Sequence, residues 1–212
     1  MTTVRGLPPG RAGRVWLERR IEVAERGTRL LETKLRILAA EEQRFSLLVQ
    51  RTRRTWESSV AEADLWMSRA RLLSARRGAR FASPSASAQV DVRWQATMGV
   101  RFPSGARARP GEPEVDAPTP DCSALALARQ AYAEALRAGA EYAAAEAALD
   151  AVHAEVRATR RRLRALERRW TPMLTDARRS LADRLEESER EDGVRLRWAA
   201  GRLTASLTKE TP

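Results

Sequence analysis

The chain has 212 residues, of which 43% are hydrophobic, 32% charged and 5% aromatic, and its formal net charge is +11. A charged fraction above the usual ~25%, carried mostly by Arg and Glu among many Ala and Leu, describes long helices and excludes an α/β core. The opening MTTVRGLPPGRAGR lacks the apolar core of a signal peptide, no apolar run spans a bilayer, and the single Cys122 excludes an internal disulfide, so a soluble, cytoplasmic chain is expected.

Residues 1–13, with Gly6, Pro8, Pro9, Gly10 and Gly13, read as a flexible lead-in. From residue 14 to 77 a heptad can be counted through Leu17, Ile21, Ala24, Thr28, Leu31, Leu35, Leu38, Glu42, Phe45, Val49, Thr52, Trp56, Ser59, Ala63, Trp66, Ala70 and Leu73. No proline interrupts it, and a helix of that length would be ~95 Å long. Its polar lapses, Thr28, Glu42, Thr52 and Ser59, either fix register or are tolerated wet points.

Gly78 is a candidate helix stop and ASPSASA a loop. Within residues 78–103, Val90–Trp94 alternates as a strand would and Met98–Phe102 follows, so a small β-hairpin closed by Pro103 is expected. Residues 104–120 form a Pro/Gly-rich linker without assigned structure. A second helix over residues 121–203, capped by Asp121 or Ser123, precedes a tail at 204–212.

The apolar seam of that helix runs through Leu149, Val152, Val156, Thr159, Leu163, Leu166, Trp170, Met173 and Ala177, intervals of three and four that mark a coiled coil. Two stripes can be drawn through its Ala-rich start, residues 124–148. Pro172 should bend it, and after Ala177 the stripe shifts to Leu181 and Leu185, a stutter. The fold class is therefore all-α: a long antiparallel two-helix coiled-coil hairpin with a small β-hairpin at the turn end.

Catalytic chemistry finds no foothold. The lone His153 lies next to the seam without partner ligands, and Cys122 has no histidine near it in sequence. No Gly-Lys pair exists to build a phosphate loop, and the carboxylates of EESERED read as an ion-paired helix face. A non-enzyme with neither cofactor nor metal is expected.

Ala24-Glu25-Arg26-Gly27, followed by Arg29-Leu30-Leu31 and Lys34, resembles the opening of the D subunit of V-type and archaeal-type ATPases. Thr159-Arg160-Arg161-Arg162-Leu163 with Ala165-Leu166-Glu167, Pro172-x-Leu174, and Arg184-Leu185-Glu186-Glu187-x-Glu189-Arg190-Glu191 are similar to later signatures of that family. Met98-Gly99-Val100-Arg101 and Pro103 match its mid-chain segment. The resemblance covers both helices and the hairpin. It departs at Thr28, where the family often has histidine, at Arg36, where it often has an acid, and at Gly193-Val194, in place of a phenylalanine pair.

The resemblance implies a central rotor shaft coupling ATP synthesis or hydrolysis to proton (or sodium) transport. Its partners would be the alternating catalytic A and B subunits, the F subunit and a membrane-side C or d subunit, and its place peripheral to the plasma membrane. The partner-contact candidates it implies are Arg26, Gly27, Lys34, Met98, Gly99, Arg160, Arg161, Arg162, Pro172, Arg184, Glu187 and Arg190. The alternative is a basic coiled coil that binds nucleic acid or acts as a scaffold, although the cations are interleaved with 28 acids rather than gathered in an arm.

Overall fold

A heptad stripe sustained over some sixty residues leaves water only by packing against another helix, and the second half of the chain supplies it. The computed structural model describes residues 6–73, 87–111 and 122–207. In order, the elements are α1 (Gly10–Leu73), β1 (Gln89–Thr97), β2 (Val100–Arg109), α2 (Ser123–Ala165), a π-helical turn (Leu166–Trp170) and α3 (Thr171–Leu207). The chain is all-α with one small antiparallel β-hairpin. It falls into two units: a hairpin unit, residues 34–159, and a terminal unit made of the chain up to Thr33 and from Arg160 onward.

In the hairpin unit the helices run antiparallel. Leu38 and Phe45 share a core with Ala148, Val152 and Val156, and farther along α1 Ala70 meets Ala124 and Leu125. Every counted seam position of α1 except Leu73 is buried or half-buried. Three of the four lapses have partners: Thr52 and Ser59 donate to carbonyls of their own helix, and Glu42 meets His153 across the seam at 2.9 Å.

Met98 (φ 52°) and Gly99 (φ 79°) form the two-residue turn that matches the twist of paired strands. β2 continues past Pro103 to Arg109, so the hairpin is longer than expected and the linker correspondingly shorter. A two-stranded sheet has only edge strands, where proline is tolerated, and Pro103 stands beside a bulge at Ser104. The Ser104 hydroxyl donates to the Arg93 carbonyl there, at 3.2 Å. Ala106-Arg107-Ala108-Arg109 carries the period-2 alternation, with both alanines buried. Val100 and Phe102 enter the Leu38–Phe45 core, so the hairpin lies along the flank of the helices rather than beyond their turn.

In the terminal unit Leu17, Ile21 and Ala24 pack on Leu174 and Leu181. The helix starts at Gly10, four residues before the expected boundary, and Leu7 of the lead-in packs on this cluster. Gly13 allows a close approach: a Cβ there would stand 2.2 Å from the Pro8 carbonyl oxygen and 3.1 Å from Leu181 Cδ2.

The second helix is not one α-helix. Pro172 has no N–H to return to the Arg168 carbonyl, and the turn before it widens until the Thr171 N–H reaches the Leu166 carbonyl, five residues back. The extra residue advances the seam by one. Leu174 is buried, whereas Trp170, an expected seam residue, is 51% exposed. The stutter therefore lies at Leu166–Trp170, before Ala177 rather than after it. At the other end the Cys122 carbonyl accepts the first helical N–H bonds, from Leu125 and Ala126. The expected Gly78 stop and Asp121 cap lie outside the described residues.

Phe45 is 2% exposed and its ring meets Phe102 edge-on at 5.0 Å. Phe45→Ala should therefore cost ~3–5 kcal/mol, while Arg190→Glu, on an exposed helix face, should cost no more than ~1 kcal/mol. Urea denaturation followed by circular dichroism measures both, and equal midpoints would show that this cluster is not the core.

Candidate functional site

The side chains that could act on a partner fall into three groups: a polar seam, an apolar groove and an arginine-rich surface. The seam lies in the hairpin unit. The Lys34 ammonium donates to Glu155 Oε1 at 2.6 Å, with both side chains about three-quarters buried, and the fully buried Thr159 hydroxyl donates to the same oxygen at 3.4 Å. A bond this short between partly desolvated charges fixes register far better than an exposed pair. Lys34 thus has a partner within the chain.

The groove lies beneath the hairpin. Opposite residues of an antiparallel pair point to one face, so Val90, Val92 and Trp94 share the side of Ala108, Ala106 and Pro103. β2 buries that face on the helices, while β1 overhangs, leaving Val90, Val92 and Trp94 half-exposed. Below them Trp56, Val60, Tyr132, Leu136 and the small residues Ala135, Gly139, Ala140, Ala143 and Ala147 complete a cavity of about 710 Å³. Gly139 gives Trp56 room there, since a Cβ would stand 3.1 Å from Trp56 Nε1 and the ring would have to give by a few tenths of an ångström. Trp56 stacks on Tyr142 with centroids 5.4 Å apart. Tyr132 Oη donates to Asp64 Oδ1 at 2.6 Å. That bond, then burial, raises the phenol above its ordinary value, because ionisation would lose the donor and set two negative charges together.

This groove was not among the sequence candidates. The signal for it was present in two places: the Val90-Val92-Trp94 alternation, and small residues every fourth position from Ala135 to Ala147.

The candidates themselves are divided between the two units. Met98 and Gly99 form the hairpin tip, with Met98 47% exposed. In the terminal unit Arg26 pairs with Glu22 of its own helix at 3.3 Å, and Gly27 leaves room for Leu166, whose Cδ1 would lie 3.7 Å from an added Cβ. Arg160, Arg161 and Arg162 are exposed, and Pro172 shapes the π-turn. Arg184 donates to the Ser180 carbonyl at 3.1 Å, and Glu187 pairs with Arg190 at 3.2 Å. Arg11 reaches Glu189 across the helix pair at 2.9 Å.

Nothing in this arrangement positions a nucleophile against a base. His153 Nε2 faces Glu42 in the seam, and among the described residues no group of His, Cys, Asp and Glu could hold a metal ion. No helix among them is long and apolar enough to cross a membrane. Antiparallel helices with a β-hairpin on one flank define the class as a helical-hairpin protein. The family model for the D subunit of ATP synthase matches residues 15–201, and the chain belongs to that family, whose members are stalk components of ATPases and generally non-catalytic. A comparison with curated proteins found no match.

The seam pair gives a quantitative expectation. In a double-mutant cycle of Lys34→Met and Glu155→Gln the coupling should be ~1.5–3 kcal/mol, as for hydrogen bonds to charged groups. The exposed Arg53–Glu57 pair, at 2.7 Å, should couple by only ~0.3–0.5 kcal/mol. Denaturation at low and high salt reads both, and a Lys34–Glu155 coupling no larger than the surface one would remove its role in register.

Proposed function

We propose that this chain is the central rotor shaft of a V-type or archaeal-type ATPase, carrying torque between ATP turnover on a catalytic ring and proton (or sodium) movement through the membrane. The observation that carries this reading is a family match extending over both helices and the hairpin. A shaft must be stiff along its length, and paired helices with close-packed seams meet that need. The terminal unit would be the driven end inside the ring of A and B subunits. The hairpin unit, with its exposed apolar groove, would receive the companion F subunit and the membrane-side C or d subunit. An apolar surface of this kind on a soluble chain marks a contact site. The complex would hold the chain peripheral to the plasma membrane, on the cytoplasmic side.

The partner-contact candidates take their roles from this reading. Met98 and Gly99 would present the hairpin tip. Arg26, Arg160, Arg161, Arg162, Arg184, Glu187 and Arg190 would form screened, exchangeable contacts during rotation. Gly27 and Pro172 would set the local helix geometry, and Lys34 the register of the seam.

Co-purification of the tagged chain from its host should bring the A, B and F subunits with it. A chain truncated after Ala177 loses Leu181, Leu185 and the EESERED cluster, and leaves Leu17 and Ile21 with a depleted partner. It should still bind the F subunit but lose most ATP-driven ion pumping, read as ion uptake against ATP turnover in reconstituted complexes. Full stoichiometry from that truncated shaft would put the driven end elsewhere.

A further inference from the structure

The arginines of the second helix live under two regimes. From Asp176 to Arg195 they are interspersed with acids, and three of the five pair with them: Arg179 with Asp176 at 3.5 Å, Arg190 with Glu187 at 3.2 Å, and Arg195 with Glu191 and Asp192 at 3.4 Å each. Between Arg160 and Arg169 the sequence offers six arginines and one acid, Glu167. All six are exposed. Arg160, Arg161, Arg164, Arg168 and Arg169 have no carboxylate within 4.0 Å among the described residues, and Arg164 turns back to the Arg160 carbonyl at 3.3 Å. Like charges one helical turn apart repel, so this segment, with Glu167 as its one acid, weakens its own helix.

Trp170 stands at the end of the same segment. The other five tryptophans each have a ring partner. Arg20, Arg69, Arg101 and Arg202 lie over Trp16, Trp66, Trp94 and Trp198 at 4.6–5.0 Å, and Trp56 stacks on Tyr142. Among the described residues only Trp170 has none, although arginines adjoin it in sequence. The π-turn before Pro172 is what turned it out of the seam.

We propose that Arg160–Trp170 is a docking surface for an acidic polypeptide segment, whose carboxylates pair with the arginine ridge and whose apolar side chain covers Trp170. Charge complementarity selects an acidic occupant. Membership of a multi-protein ATPase selects a polypeptide over nucleic acid, and a useful grip on nucleic acid takes ~6–10 phosphate contacts that arginines fanned round a convex helix do not align. The proposal deepens the stalk reading, since the segment would belong to a surrounding protein of the complex.

The test uses the full chain and a fluorescein-labelled peptide of Glu and Asp with a single Leu, followed by anisotropy at physiological salt. A labelled single-stranded oligonucleotide is the comparison. Arg160→Glu/Arg164→Glu/Arg168→Glu should weaken peptide binding by at least ~tenfold, and Arg179→Glu/Arg190→Glu/Arg195→Glu, with the same change in net charge, by less than ~threefold. Trp170→Ala should weaken it ~threefold or more. Circular dichroism checks that the variants fold, and the glutamine versions of the ridge triple replace them if they do not. Equal losses in the two triples, no peptide binding by the wild type, or tighter binding of the oligonucleotide would each overturn the proposal. None of these outcomes touches the stalk reading, which stands or falls on co-purification.

Discussion

Phe45 is where the hairpin unit is held together. Neither helix can bury its stripe alone, and a two-stranded hairpin is marginal in water. All three elements solve the problem at one place: Phe45 from α1, Phe102 from β2, and Ala148, Val152 and Val156 from α2 share one core. The edge-on ring contact between the two phenylalanines at 5.0 Å adds specificity to burial. Alanine at position 148 lets the third element approach. Once this junction closes, β2 is fixed along the helix flank, β1 is left overhanging, and the apolar groove follows as a geometric consequence.

Pro172 plays the corresponding part in the terminal unit. Its missing N–H is accommodated by one wide turn, and the extra residue in that turn rotates everything that follows. Leu174 and Leu181 then meet Leu17, Ile21 and Ala24. The same rotation leaves Trp170 outside. A single imino acid thus decides both which leucines pack and which aromatic faces outward.

Electrostatics divides the molecule in another way. Arg14, Arg53, Arg190 and Arg195 pair with acids three or four residues away, exposed pairs worth little to stability. The Lys34–Glu155 pair sits in the seam and is shielded from solvent, so its bond of 2.6 Å can discriminate register. The ridge from Arg160 belongs to neither class. Its charge has too few neighbouring acids to be spent internally.

The long helices, the seam of α1 and the family were legible in the residues alone, because a 3.5-residue repeat and ordered motifs are local, one-dimensional signals. The hairpin was marked there too, but not its length, since Pro103 reads as a stop when the absence of a neighbouring strand on one side is unknown. The register of the Ala-rich stretch stayed open between two stripes for a physical reason: that part of α2 is buried on more than one face. Ala128 and Ala131 are buried away from the groove lining, while the buried Ala135 and Ala144 line the groove under the hairpin. Three-dimensional packing settled where the stutter falls, because the choice between a bent α-helix and a π-turn at Pro172 depends on whether Met173 or Leu174 can reach α1. Packing also revealed the groove, which exists only once strands distant in sequence from Trp56 and Leu136 are laid beside them.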